Sequence, residues 1–256
     1  MKFFTLLLSL AAVSNAAPTG IFDNNFDFSE DLLDYYGKVS QYIDKYRQNP
    51  GAAYACDVSK IALPSYAAGL ADQPSGLKPK YVALGRGTQN YTCADSTKET
   101  TPTAIGAVAD LFNATCIAAN YPDLMELMPN AAYRMSLPTD TKLLSSLRLP
   151  LGNMQLLGHH FFHDATTPEF NLDTTIDRQF GVLMTNKVSQ LKAPSNAFQG
   201  QNGAVAWLYL KTVAGTVGDY KAVYRVNTAS GAAPKTCEGQ PPSFEMQYSA
   251  NYYFFD

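Results

Sequence analysis

From residue 81 to the C-terminus the chain breaks into short segments rich in β-branched and aromatic residues, and no other feature constrains its fold so tightly. The segments fall at 81–84, 89–93, 105–112, 154–162, 181–184, 204–213, 220–226 and 248–255. Val, Ile, Thr, Tyr and Phe fit a pleated, half-buried surface. Between them lie turn-forming clusters such as Gly85-Arg86-Gly87, Leu137-Pro138-Thr139-Asp140 and Pro194-Ser195-Asn196. Many short strands without alternating long helices predict a mainly β protein, an antiparallel sandwich or barrel. A short helix is expected over 122–127, with Pro122 at its first position.

The segment before this region reads differently. Over 26–47, Leu32, Leu33, Tyr36, Val39, Ile43 and Tyr46 recur at helical spacing behind Ser29 as an N-cap, which predicts one amphipathic helix ended by Asn49-Pro50-Gly51. Residues 56–80 hold Pro64, Pro74 and Pro79 among glycines and serines, the texture of an extended connection over the surface. The expected organisation is therefore a leader at 1–17, a helical N-terminal extension and linker at 18–80, and a β-rich domain at 81–256.

The leader is read from Lys2, an apolar stretch over 3–13 and the small residues Ser14-Asn15-Ala16, which together form a secretory signal peptide. Its apolar core is too short to span a bilayer, for which ~20 residues are needed. Secretion to the extracellular space is the expected address. No run of 18 apolar residues follows, so no membrane span is expected. Of the 256 residues, 19 are basic and 22 acidic, a formal charge of −3. Without a basic stripe, nucleic acid is not an expected partner.

An oxidising address changes the meaning of Cys56, Cys93, Cys116 and Cys237. An even number of cysteines in a secreted chain favours two disulfides, and their wide spacing lacks the Cys-x-x-Cys of a structural zinc site. Three pairings are possible. Proximity in sequence favours Cys93 with Cys116, which leaves Cys56 with Cys237. The tripeptides starting at Asn90 and Asn113 are N-x-T sequons, each directly before a cysteine, and predict a glycosylated, exposed neighbourhood.

Titratable residues concentrate in Gly158-His159-His160-Phe161-Phe162-His163-Asp164, which holds all three histidines. On a strand, His159 and His163 share one side and His160 and Asp164 the other, each pair ~13 Å apart along the strand and too distant for one metal ion. No metal or cofactor is expected. His160 and Asp164 form an acid/base element only if a loop folds them together, and they are the candidate catalytic residues. The nucleophile elbow G-x-S-x-G is absent. The 16 Tyr and 14 Phe are mostly core material, with an aromatic glycan-binding platform as the functional option.

Several blocks in order resemble a secreted family of fungi and bacteria known as domain of unknown function 3455. They are Val82-Ala83-Leu84-Gly85-Arg86-Gly87-Thr88-Gln89-Asn90-Tyr91-Thr92-Cys93; Leu157-Gly158-His159-His160 leading to Pro168-Glu169-Phe170; Ala206-Trp207-Leu208-Tyr209-Leu210-Lys211; Tyr224-Arg225-Val226-Asn227-Thr228 with Gly231 and Cys237; and Ala250-Asn251-Tyr252-Tyr253-Phe254. The resemblance implies the label often given to its fungal members, malate dehydrogenase. The residues do not support that label. A nicotinamide site needs G-x-G-x-x-G between strand and helix, and here Gly85-Arg86-Gly87 is followed by Asn90 in place of the third glycine. The expected function is a secreted glycoprotein that binds or interacts at a cell wall or host surface, with a glycan, wall or host-surface partner. The competing expectation is a secreted hydrolase using His160 and Asp164.

Overall fold

The computed structural model describes residues 30–48, 55–134, 148–149 and 154–256. The leader, Ser29, Asn49-Pro50-Gly51 and Leu137-Pro138-Thr139-Asp140 lie outside the described residues. Nine strands and three α-helices are present among those described: α1 (Glu30–Gln48), β1 (Pro79–Thr92), β2 (Thr103–Asn113), α2 (Thr115–Asn120), α3 (Pro122–Tyr133), β3 (Arg148–Leu149), β4 (Met154–Phe162), β5 (Pro168–Thr175), β6 (Arg178–Leu191), β7 (Trp207–Thr212), β8 (Ala222–Ser230) and β9 (Ser243–Phe255). Every strand pairing is antiparallel.

The sheet runs β2-β1-β9-β8-β7-β6-β5-β4, and β2 also pairs with β4, Ala109 opposite His160. That last pairing joins the two ends of the sheet, so eight strands form a closed antiparallel barrel and β3 is an appendage of β4. Closure removes the open edges that would otherwise template aggregation. The barrel option of the expected fold class is the one adopted.

Alternation along the strands sorts two cores. Leu172, Leu183, Val223, Ala250 and Phe254 point into the lumen and pack together with Ala83 and Leu111. The opposite faces carry Val82, Leu84, Trp207, Tyr224, Tyr253 and Phe255, which pack outside the barrel against Met125 and Met128 of α3 and against Leu32 and Tyr35 of α1. The helix stripe that packs is Leu32, Tyr35, Val39 and Tyr42, while Leu33, Tyr36 and Ile43 of the expected apolar face are exposed.

Three expectations are corrected. Gly85-Arg86-Gly87 is not a turn but the middle of β1, which runs unbroken through both segments expected there. Both glycines are required by close packing: a Cβ on Gly85 would stand 2.5 Å from the Tyr252 ring, and one on Gly87 1.9 Å from the Val108 carbonyl oxygen. Residues 56–80 are not a loose surface connection, because short 3-10 turns at Val58–Lys60 and Ser65–Gly69 bring Ile61, Ala67 and Leu70 into the outer core. The disulfides are Cys56–Cys116 and Cys93–Cys237. Register explains the error. In the β1–β2 hairpin Ala83 faces Asn113 and Thr92 faces Thr103, so Cys116 lies at one end of the barrel and Cys93 at the other. Nine residues of strand separate the ends, ~30 Å, far beyond disulfide reach. Cys93 instead follows β1 next to the start of β9, where its N–H donates to the carbonyl of Pro242, and Cys237 is close by.

Helix α3 contains an unusual solution to a proline. Pro129 stands inside the helix and lacks the N–H that would donate to the Met125 carbonyl one turn earlier. The side-chain amide of Asn251, fully buried on β9, supplies the missing donor at 2.8 Å. At the C-terminal end of the helix, Arg86 donates to the carbonyls of Ala132 (3.1 Å) and Tyr133 (3.3 Å) and lies over the Tyr133 ring. Burial draws its guanidinium down to about 10, so it stays cationic at the helix's negative end.

Candidate functional site

One end of the lumen is plugged by the inner core; the other opens into a cavity of about 510 Å³. This end carries the β1–β2, β4–β5 and β6–β7 connections. Most of its wall is apolar, with Ile105, Ala107, Val205, Leu208 and Leu210 among the lining residues. The polar exceptions are Gln89, Tyr91, His160, Thr166, Lys187, Gln190, Arg225 and Tyr252. Among the described residues no aspartate or glutamate lines it.

His160 reaches this wall because strand alternation in β4 sends it inward while His159 points out. His159 meets Asp110 outside the barrel, Nδ1 to Oδ1 at 2.9 Å. The His160 ring is 4% exposed and stacks on Phe170 at 4.3 Å, with Phe162 and Tyr252 within 6.0 Å. Its Nδ1 sits 2.8 Å from the Glu169 carbonyl oxygen, a pure acceptor, so Nδ1 carries the proton and Nε2 is left as an acceptor. Burial, helped by nearby Arg225, draws this histidine from its ordinary value near 6.5 down to about 4. At neutral pH it is an uncharged aromatic plate.

Asp164 does not join it. Its carboxylate is spent inside the β4–β5 hairpin, accepting from the backbone N–H and hydroxyl of both Thr166 and Thr167 at 2.8–3.0 Å. These bonds, led by the Thr166 N–H, hold Asp164 down to about 2, as befits a turn-closing group. His163 pairs with the Glu169 carboxylate at 3.0 Å. The acid/base pair expected of His160 and Asp164 is therefore not assembled: the partner of His160 is a backbone carbonyl. No cluster of three His, Cys, Asp or Glu residues suited to a metal occurs among the described residues.

Sequence reasoning passed over Arg225, which sits mid-lumen on β8 opposite Tyr252 and Leu208. It is 8% exposed. Its Nε and Nη2 donate to the Ala206 carbonyl (3.3 and 3.0 Å), and Nη1 donates to Gln89 Oε1 (3.3 Å). Among the described residues no carboxylate neutralises it. The available signal was one arginine inside an otherwise apolar strand, Ala222-Val223-Tyr224-Arg225-Val226. Above it, Tyr248 and Tyr252 share a hydrogen bond at 2.7 Å, both hydroxyls pushed up by burial.

The two sequons are not neighbours. Asn90 lies near the cavity end of β1, partly exposed, with its Oδ1 accepting from Thr88; Asn113 ends β2 at the opposite end, and its Oδ1 accepts from the Thr115 N–H and hydroxyl.

Fold and cavity together define a class: a closed eight-stranded antiparallel barrel of the size whose lumen holds side chains or one small ligand. Residues 74–256 match the family described as protein of unknown function DUF3455, and the chain belongs to that family. Residues 8–71 are similar to a second family, described as protein of unknown function DUF2990, so the two matches meet just before β1. Comparison with curated proteins and with solved structures gives no match. Two disulfides suit an extracellular compartment. Among the described residues no helix is long and apolar enough to cross a membrane.

Proposed function

We propose that this protein is a secreted glycoprotein that works at a cell-wall or host surface by holding a small, largely apolar molecule in the open end of its barrel. The observation that carries this reading is the cavity of about 510 Å³, within the usual range for small-molecule sites, with an apolar wall and a few inward polar groups. A hydrolase needs a general acid or base beside its substrate. Here the one lumen histidine is neutral and bonded to a carbonyl, and Asp164 is engaged elsewhere, so the binding reading is the stronger. Gly85-Arg86-Gly87 lies inside a strand with both glycines packed against neighbours, which removes it as a phosphate-cradling turn.

The test is displacement of a fluorescent apolar probe from purified mature protein by a panel of long-chain alcohols, acids, terpenoids and oligosaccharides. Leu208→Trp, which fills the lumen, serves as the control, its fold checked by near-UV circular dichroism. Saturable one-site displacement that Leu208→Trp abolishes is expected. Probe binding that survives this variant, or displacement by oligosaccharides alone, overturns the proposal. A companion arm measures NAD-dependent malate oxidation, expected to stay at background.

A further inference from the structure

We infer that the ligand carries a carboxylate, and that Arg225 with Gln89 forms the receptor for it at the inner end of the cavity. The inference rests on the lumen-binding reading and specifies its chemistry.

A guanidinium has five N–H groups. Three are accounted for, two on the Ala206 carbonyl and one on Gln89 Oε1, and the Tyr252 hydroxyl stands beside the guanidinium as a fourth partner, which leaves at least one terminal N–H without a described acceptor. Gln89, 7% exposed, turns its oxygen to Arg225, and its side-chain nitrogen has no hydrogen-bond partner among the described residues. The Tyr248 hydroxyl, bonded to Tyr252, also faces Gln89 but not at hydrogen-bond geometry to its nitrogen. Two adjacent side chains thus present unused donors to one cavity that no acidic residue lines among those described. Buried donors left unmet are costly, and a buried cation without a counter-ion more so. An acceptor with two coplanar oxygens and one negative charge satisfies both at once. The planar fork of arginine matches a carboxylate in two parallel hydrogen bonds.

The surroundings fix the rest of the ligand. Leu208 and Leu210 on β7, Val205 before it and Ile105 on β2 line the cavity, so the body that follows the carboxylate is apolar. Lys187 and Gln190 also line the cavity, from β6. The class is a medium-chain or ring-bearing monocarboxylic acid, bound charged end first.

Calorimetry with decanoic acid, decanol and decyl sulfate at pH 7 tests this, on the wild type and on Arg225→Met and Gln89→Leu, each checked for a native near-UV spectrum. Decanoic acid is expected to bind at least tenfold more tightly than decanol. Arg225→Met should erase the difference by weakening the acid while decanol is unchanged, and Gln89→Leu should narrow it severalfold. Decyl sulfate should fall below the acid. Equal binding of acid and alcohol to the wild type, or a preference that survives Arg225→Met, overturns the carboxylate receptor and leaves the lumen reading standing. Sulfate bound more tightly than acid overturns the carboxylate in favour of a tetrahedral anion. Failure of all three to bind overturns both. If Arg225→Met does not fold, Arg225→Lys keeps the charge but loses the fork, and a retained acid preference with a tenfold weaker constant is then the supporting result; undiminished affinity refutes the bidentate geometry.

Discussion

Replacing His160 by glutamine should make the protein less sensitive to acid, by an amount set by the burial of the ring. In the folded state the imidazole is held near 4 by desolvation, against an ordinary value near 6.5. The folded protein therefore binds fewer protons than the unfolded chain between these values. For a base whose folded value is depressed, the favourable contribution is complete above pH 6.5 and is lost as pH falls towards 4. At about 1.36 kcal/mol per unit, a gap of about 2.5 units is worth about 3 kcal/mol. That is a large share of the 5–15 kcal/mol typical of a whole domain. Solvent screening does not reduce it, since the ring is 4% exposed. Glutamine keeps an N–H for the Glu169 carbonyl but does not titrate. The assay is denaturant unfolding of wild type and His160→Gln at half-unit steps from pH 7.5 to 4, with disulfides intact. Contributions from every group other than residue 160 are common to both proteins and cancel in the difference. The wild type is expected to lose about 3 kcal/mol more than the variant over this range. Parallel profiles, differing by a constant, would refute a neutral buried ring.

Other perturbations probe packing and connectivity. Gly87→Ala places a methyl group against the Val108 carbonyl and should cost about 3 kcal/mol or more, read as a drop in Tm. A mild effect there means that the β1–β2 pair can spread. Asn251→Ala leaves the Met125 carbonyl without a donor and should cost about 1–3 kcal/mol. In a Pro129→Ala background, where a backbone N–H returns, the same change should cost at least about 0.5 kcal/mol less, and strict additivity in the double-mutant cycle contradicts the compensation. Non-reducing peptide mapping should recover Cys56 with Cys116 and Cys93 with Cys237. Removing the second pair should cost up to about 5 kcal/mol on the chain-entropy scale for 144 residues, and about 4 for the 60 residues spanned by the first.

The strand-rich texture was legible because alternating lumen and outer faces leave β-branched and aromatic residues on both sides of most strands. The segment at 154–162 coincides with β4. Strand β5 escaped notice: Pro168-Glu169-Phe170-Asn171-Leu172-Asp173 carries only Phe170 and Leu172 as strong apolar residues on one face, and its polar remainder resembles a loop. Gly85-Arg86-Gly87 was misread because glycine signals turns locally, and only the three-dimensional neighbours Tyr252 and Val108 reveal a crowded strand. The inward direction of His160 was half legible from strand period, since it separates His160 from His159. Its meeting with Arg225 was not, because β4 and β8 come together only through closure of the barrel, which no local pattern encodes. The disulfide pairing failed for the same reason: proximity in sequence is a poor guide where a hairpin carries two cysteines to opposite ends.

The position of β9 governs the order in which the molecule can be assembled. It lies between β1 and β8, pairing Val82 with Tyr253 and Tyr224 with the same residue from the other side. During synthesis β1 emerges long before β9, and that side of β1 waits exposed until residues 243–255 have been made. Only then can the cylinder shut and Cys93 find Cys237 in its native place. Contacts so distant along the chain make for slow folding. A ribosome stalled shortly before residue 243 would leave an unsealed sheet, and a shortened C-terminus would affect the whole cylinder rather than one edge of it.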